Sequence, residues 1–329
     1  MSGRRRETTS GTTQTTLTTS APVPFDFAGT AYSNGWAVLA PNRWESDHYT
    51  LRRTERLGPG RVVYLAVTGD GSVQSPRARI EVTHEGDLQA SERAAVRRVV
   101  RRMFRLDEDL APFHALCRTA GSRWEPASRG LGRLLRSPTL FEDAVKTICT
   151  TNVQWGGTKA MVGRLVEYLG EPGPPAVSTV ETETRISVSG QDPNSFPTPE
   201  AIAAASGKTL EAARLGYRAP FIRELAERVA SGDLDLEELR RPELATEDVK
   251  RRFLAIKGVG AYAAATLLML VGRYDHLAVD SVYRAFVTER YFGGERPQDR
   301  EAERVYDAWG EWKYLGFWYD LWQGPEEDL

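Results

Sequence analysis

The stretch that most constrains this sequence is Ala261 to Val271, almost wholly apolar and bounded by Gly258-Val259-Gly260 before it and Gly272 after it. A run of about 12 residues is too short to cross a bilayer, and its uniformity predicts a helix buried on all sides. A charged segment leads into it, with Glu247, Asp248, Lys250, Arg251 and Arg252 around Val249, Phe253 and Leu254. Gly258 and Gly260 lack Cβ atoms, so the chain can turn tightly there and its N–H groups can approach a ligand closely. Those N–H groups open a helix, whose positive end attracts a phosphate. A plain helix–helix turn would use the same glycines. Beyond Gly272, Leu277-Ala278-Val279 delivers Asp280 to the start of a further helix. An acid beside apolar structure usually has a task. Capping the helix that begins at Ser281 is one such task, and chemistry is another.

A charged helix, Lys257-Gly258-Val259-Gly260, an apolar helix and then Val279-Asp280-Ser281 together resemble the helix-hairpin-helix (HhH-GPD) DNA glycosylase superfamily. The resemblance runs from about residue 25 to 323 and is strongest between 139 and 292. It implies that the hairpin, 247–272, grips a DNA phosphate through Lys257, Gly258, Val259, Gly260 and Ala261. It also implies that Asp280, within 277–284, is the catalytic carboxylate. Phe141 to Gln154 looks like the family's helix and turn that fills the gap left by an extruded base, which makes Asn152 and Gln154 candidate plugs. A helix C-cap or turn is their alternative role. Leu215-Gly216-Tyr217-Arg218-Ala219 looks like an element bordering the lesion pocket, so Tyr217, Trp155 and Tyr262 are expected there.

The position two after Gly260 separates subclasses of the family. Bifunctional members place there a lysine whose amine forms a Schiff base with the sugar; this sequence has Tyr262, and a phenol cannot form an imine. The implied reaction is hydrolysis without strand cleavage. The 8-oxoguanine branch places a His where this chain has Val282, and an Arg in the region of Trp155 to Gly157, which contains none. The resemblance therefore leans to alkylated purines of the 3-methyladenine type, with an 8-oxoguanine-type glycosylase as the alternative. A non-catalytic helix-hairpin-helix DNA-binding protein is the alternative of another class. Damaged double-stranded DNA is the expected partner, the chain acting as a monomer.

The remaining composition is consistent with this reading without demanding it. The 329 residues suffice for two or three cores. Cys117 and Cys149 are the only cysteines, which excludes a disulfide framework and a four-cysteine iron–sulfur cluster within the chain. His114 and Cys117 could share a helix face as metal ligands, but a buried thiol beside a surface histidine is the simpler expectation. No metal and no cofactor are expected, apart from a monovalent cation at the hairpin. The absence of a secretory signal and of long apolar runs leads to an expected cytoplasmic location, nucleoid-associated in a bacterium.

A net charge of −2 does not advertise a nucleic-acid binder, yet Ser91 to Arg136 carries eleven Arg against five acids. Within it, Arg133 and Arg136 are expected on DNA phosphates. A solvated helix face is the alternative for Arg93 to Arg105.

The expected fold class is α+β: a disordered Thr/Ser-rich tail over 1–23, a small antiparallel β domain over 24–88, and a mainly helical region over 89–329. Strands are expected at Gly35 to Leu39, Tyr49 to Leu51, Arg61 to Thr68 and Arg77 to Thr83, with a hairpin turn at Gly69-Asp70-Gly71. Helices are expected at 90–104, 106–117, 138–153 and 158–169. Gly170 to Pro199 reads as a surface excursion with a short ribbon near Arg185 to Val188. Glu301 to Trp322 reads as one aromatic-rich helix.

Overall fold

The computed structural model of the chain describes residues 6–7, 12–72, 74–174 and 194–322. An antiparallel sheet of six strands comes first, in the order β1-β2-β6-β5-β4-β3. Its strands are β1 (Arg6–Glu7), β2 (Thr12–Ser20), β3 (Asn42–Glu45), β4 (Thr50–Gly58), β5 (Arg61–Ser72) and β6 (Ser75–Glu85). In β6, Pro76, Ala78, Ile80 and Val82 are buried and alternate with more accessible residues, the two-residue period of a sheet with one packed face. A short helix, α1 (Phe27–Ala31), lies between β2 and β3.

After β6, the regular elements among the described residues are all helical. The helices are α2 (Ala90–Met103), α3 (Ala111–Thr119), α4 (Leu140–Thr150), α5 (Trp155–Leu169), α6 (Pro199–Ala203), α7 (Gly207–Ala212) and α8 (Ala219–Ala230). They continue with α9 (Thr246–Leu254), α10 (Ala261–Leu270), α11 (Ser281–Phe292), α12 (Asp299–Arg304) and α13 (Lys313–Leu321). The architecture is the expected α+β arrangement of an antiparallel sheet followed by a helical body. The short ribbon expected near Arg185 to Val188 lies outside the described residues.

Four local expectations are corrected. The tail expected over 1–23 is ordered along Thr12–Ser20, where β2 pairs with β6 from Thr12↔Glu85 to Ser20↔Arg77. Backbone hydrogen bonds need no apolar composition, and Leu17, at 4% exposure, supplies the buried anchor. Gly69-Asp70-Gly71 is not the turn, because the β5–β6 ladder continues through it to Ser72↔Ser75. Gly69 instead makes room for Phe27, whose ring and Cβ leave no space for a side chain. Trp36 to Val38 form a 3-10 turn rather than a strand, since Gly35 enters it with φ +80° and the indole folds inward. The aromatic C-terminal segment is divided into α12, a 3-10 stretch over Asp307–Trp312 that is itself kinked at Gly310 (φ 56°), and α13.

A buried ionic cluster joins sheet to helices. Arg53 of β4 donates both terminal nitrogens to Glu142 of α4, at 2.9 and 2.7 Å, while Glu142 also accepts Lys146 at 2.7 Å. All three side chains are buried. The guanidinium and ammonium overcome the cost of burial and hold the Glu142 carboxyl down at about 2. Removing one member of such a cluster strands a charge in the core, whereas the intact set mainly fixes geometry.

β2 should behave as part of the folded unit. Leu17→Ala is expected to cost about 2–5 kcal/mol in chemical denaturation. The amides of 12–20 should exchange with solvent as slowly as those of β6. Rapid exchange across that strand would return it to the status of a tail.

Candidate active site

The hairpin forms as its residues require. Val249 and Phe253 of α9 are buried, the chain turns at Gly258, and α10 follows with every residue from Ala263 to Leu270 buried. Gly258 has φ +86°, and a Cβ there would lie 2.7 Å from the Phe221 ring. Gly260 is different. Its backbone is extended, and a Cβ there would meet nothing within 4 Å. It is the N-cap of α10 without a side-chain cap, so the exposed turn at Gly260 and Ala261 presents uncapped backbone at a helix N-terminus.

The opposite end of α10 explains the arginines. Arg105, fully buried with φ +53°, donates to the carbonyls of Met269 (2.8 Å) and Leu270 (3.1 Å), and Arg136 donates to Leu270 at 3.2 Å. Arg133 is 2% exposed and donates to the carbonyls of Arg105 and Glu108. Arg133 and Arg136 are therefore not phosphate contacts; they are turned inward onto backbone carbonyls. Burial lowers both guanidinium pKa values, that of Arg136 to about 9. Helix C-termini carry the negative end of the dipole and unpaired carbonyls, which is what draws cations there.

Asp280 opens α11. Its Oδ1 accepts the Tyr283 N–H at 2.7 Å, so the capping role read from the sequence is real. Among the described residues no Lys or Arg is ion-paired with it. The same carboxylate lines a cleft of ≈ 790 Å³ whose walls are the α10 and α11 N-termini, the turn after α4, and α13. Tyr262, Trp155, Tyr217, Gly258, Gly260, Ala261 and Asn152 also line it, so the structure brings most of the expected site residues together. Burial and the nearby Asp280 carboxylate push the Tyr262 phenol up from its usual range. Trp155 and Tyr217, at 40% and 52% exposure, form the rim.

The tip after α4 is built locally. Asn152 adopts φ +49° and its Nδ2 donates to the Tyr217 hydroxyl at 3.2 Å. The buried Arg218 guanidinium stacks 4.5 Å over the Tyr217 ring and donates to the Thr151 carbonyl. Gln154 is exposed at the N-cap of α5, outside the cleft lining. Lys257 and Val259 also stand outside that lining. Val259 is buried, while exposed Lys257 pairs with Glu224 at 2.5 Å.

Sequence reasoning missed Asn34, Trp36, Thr150 and Met269, which line the cleft, and left Tyr314 and Trp318 undistinguished among the C-terminal rings. Nothing local marks them; Trp36 and Trp318 are brought together by chain segments far apart. His114 is not on the surface. It is buried with Nε2 on the Leu131 carbonyl, beside a Cys117 thiol that burial pushes up to about 12. Among the described residues no group of three or more His, Cys, Asp or Glu is placed to hold a metal ion. None of the described helices is long and apolar enough to cross a membrane.

A family model of the HhH-GPD superfamily base excision DNA repair proteins matches residues 145–311, a span containing the hairpin and Asp280. This chain belongs to that superfamily. Among solved structures, 3-methyladenine DNA glycosylase from Archaeoglobus fulgidus is similar over 93% of this chain and 97% of its own, with 23% identity and a TM-score of 0.68. The Clostridium acetobutylicum 8-oxoguanine glycosylase/lyase, solved with double-stranded DNA containing cytosine opposite 8-oxoguanine, is similar over 98% and 96% with 14% identity and a TM-score of 0.66. At these identities the likeness is one of fold, and it includes the sheet as well as the helices. No curated protein sequence matches the chain.

The two hairpin glycines should separate on substitution. Gly258→Ala is expected to destabilise the HhH-GPD chain by about 1–3 kcal/mol through left-handed strain and the Phe221 clash. Gly260→Ala should stay within about 0.5 kcal/mol of the parent yet weaken duplex DNA binding. Thermal melts paired with fluorescence anisotropy read both; equal effects of the two on stability would contradict the geometry.

Proposed function

We propose that this HhH-GPD protein is a monofunctional DNA glycosylase that extrudes a damaged purine and hydrolyses its N-glycosidic bond, with alkylated purines of the 3-methyladenine and 7-methylguanine type as substrates. The observation that carries the reading is Asp280, fixed at the mouth of a ring-walled cleft whose described lining contains no lysine. A base inside a duplex cannot be attacked in place, so it is rotated out at a cost of a few kcal/mol. As the bond to the base breaks, its electron pair leaves with the purine and positive charge develops on the sugar. The Asp280 carboxylate stabilises that charge and accepts a proton from the attacking water, whose oxygen bonds to the sugar carbon. A purine alkylated at a ring nitrogen starts as a cation and departs neutral, so no proton need be delivered to it.

Aromatic walls suit a cationic base by cation–π attraction, worth about 0.5–2 kcal/mol per favourable face. Tyr262, Tyr314 and Trp318 line the interior and Trp155 and Tyr217 the rim. In this reading the uncapped α10 N-terminus at Gly260 and Ala261 takes a backbone phosphate, with Lys257 close by in sequence. Val282, exposed beside Asp280, and the stretch Trp155 to Gly157 lack the His and Arg of the 8-oxoguanine branch, which supports the alkyl-purine reading over that alternative.

Asp280→Asn should lower single-turnover base release about 100- to 1,000-fold while lesion-duplex binding persists; a rate within a few-fold of the parent would move the chemistry elsewhere. Incubation with borohydride should trap no covalent protein–DNA adduct, and strand breaks should appear only after alkali. A trapped adduct would sink the monofunctional assignment. Parallel duplexes carrying 7-methylguanine, hypoxanthine or 8-oxoguanine test the substrate class, and faster release of 8-oxoguanine than of the methylated base would reverse it.

A further inference from the structure

One wall of the cleft does not come from the helical region. Residues 33–36, between α1 and β3, are fastened onto that region by four hydrogen bonds and one ring contact. The Ser33 carbonyl accepts the Trp318 indole N–H at 2.8 Å, and Ser33 Oγ accepts the Leu135 N–H at 2.9 Å. Asn34 Nδ2 donates to the Leu135 carbonyl at 2.8 Å. Gly35 lies against the Trp155 ring so closely that a Cβ would fall 2.9 Å from it. The Trp36 indole N–H donates to Asp143 Oδ1 at 3.0 Å. Asp143, on the fully buried face of α4, uses the same oxygen to accept the Ser137 N–H at 2.8 Å. Its other oxygen lies 3.5 Å from Arg240.

Trp36 is only 4% exposed, yet it lines the cleft together with Tyr262, Met269 and Trp318. Core packing alone would explain a buried indole. The indole N–H is in addition held by a carboxylate at 0% exposure, which the Ser137 N–H and Arg240 fix in turn, so the ring is oriented by an acceptor that cannot itself move. A ring held by a hydrogen bond and by flanking backbone contacts cannot swing aside to enlarge the cavity.

We propose that Trp36 is a specificity-determining residue that limits the size of the purine the cleft admits, and that Asp143 is its positioning residue. The inference rests on the glycosylase reading above. Trp36 touches the extruded base; Asp143 acts on the base through Trp36, while its contacts with Ser137 and Arg240 hold the carboxylate itself in place. The segment from the sheet side thereby excludes purines bearing an additional fused ring while the single-methyl adducts fit.

The test compares release of 7-methylguanine with release of 1,N6-ethenoadenine from otherwise identical duplexes. Trp36→Phe should raise the ethenoadenine-to-methylguanine ratio of kcat/KM at least ten-fold. Asp143→Leu should move it in the same direction, whereas Asp143→Asn, which retains an Oδ1 acceptor, should leave it within two-fold. A purely structural role predicts lower melting temperatures with the ratio unmoved, and that result overturns the proposal. A measurement on the unsubstituted protein stands beside these: photolysis of its complex with a duplex containing one 8-azidoadenine. Attachment to Trp36 is expected, and attachment confined to α10 and α13 overturns the contact even if the variants fail to fold. If the parent protein releases no purine from any duplex, the proposed function fails by itself, and the crosslink still decides whether a base meets Trp36.

Discussion

The arrangement depends on the treatment of one apolar helix at its two ends. α10 is buried along almost its whole length, so apart from the face that Tyr262 and Met269 turn to the cleft its sides contribute packing. Its backbone dipole and unpaired end groups must be answered where they emerge. At the C-terminus the answer is internal: Arg105 and Arg136 donate to the Met269 and Leu270 carbonyls, beneath the chain that leads on to Tyr274 and Asp280. At the N-terminus there is no internal answer. Gly260 and Ala261 leave their end of the helix uncapped and exposed, next to the cleft. Under the proposed function, that open end is where a DNA phosphate would meet the positive end of the helix.

The sheet is more than an appendage in this scheme. Arg53 of β4 clamps Glu142, and Trp36 reaches Asp143 one residue later on the same helix. α4 thus receives two buried polar contacts from the N-terminal sheet region near its start, and its last turn runs into Thr151 and Asn152 at the cleft. Such contacts add little net stability, because desolvation offsets much of the attraction. Their effect is to fix register and orientation between two bodies that apolar packing alone would leave free to slide.

The sequence made the hairpin legible because its signals are local. Glycines at Gly258 and Gly260, an apolar run and an acid a fixed distance beyond need no tertiary information to be noticed. Tyr262 was legible for the same reason. What escaped reading is what depends on distant partners. The Thr-rich strand Thr12–Ser20 has almost no apolar content, and it is pairing along its length with β6 that makes it a strand. Arg133 and Arg136 look like a basic surface until the carbonyls they cap are known. Gly69 resembles a turn glycine until Phe27 is seen against it. Trp36 and Trp318 are separated by most of the chain, and no pattern in either neighbourhood announces that they meet at one cavity. The kink at Gly310 was hidden by an aromatic content that suits a helix and a turn equally well.

The two roles weighed for Asp280 are not rivals. An N-cap carboxylate gives one oxygen to a backbone N–H, here Tyr283, and that bond orients the group without neutralising it. The positive end of α11 favours a negative charge at this position. The described surroundings supply no guanidinium or ammonium partner, so its field is not cancelled by a salt bridge. A carboxylate held in this way is fixed in orientation and turned toward a cleft, which are properties the proposed mechanism asks of a group facing a developing cation. For an alkylated purine the demand on it is modest, because the leaving base already carries the positive charge that weakens its bond. Under the proposed mechanism, discrimination among lesions would then lie less in the strength of Asp280 than in which bases the rings around it allow to reach it.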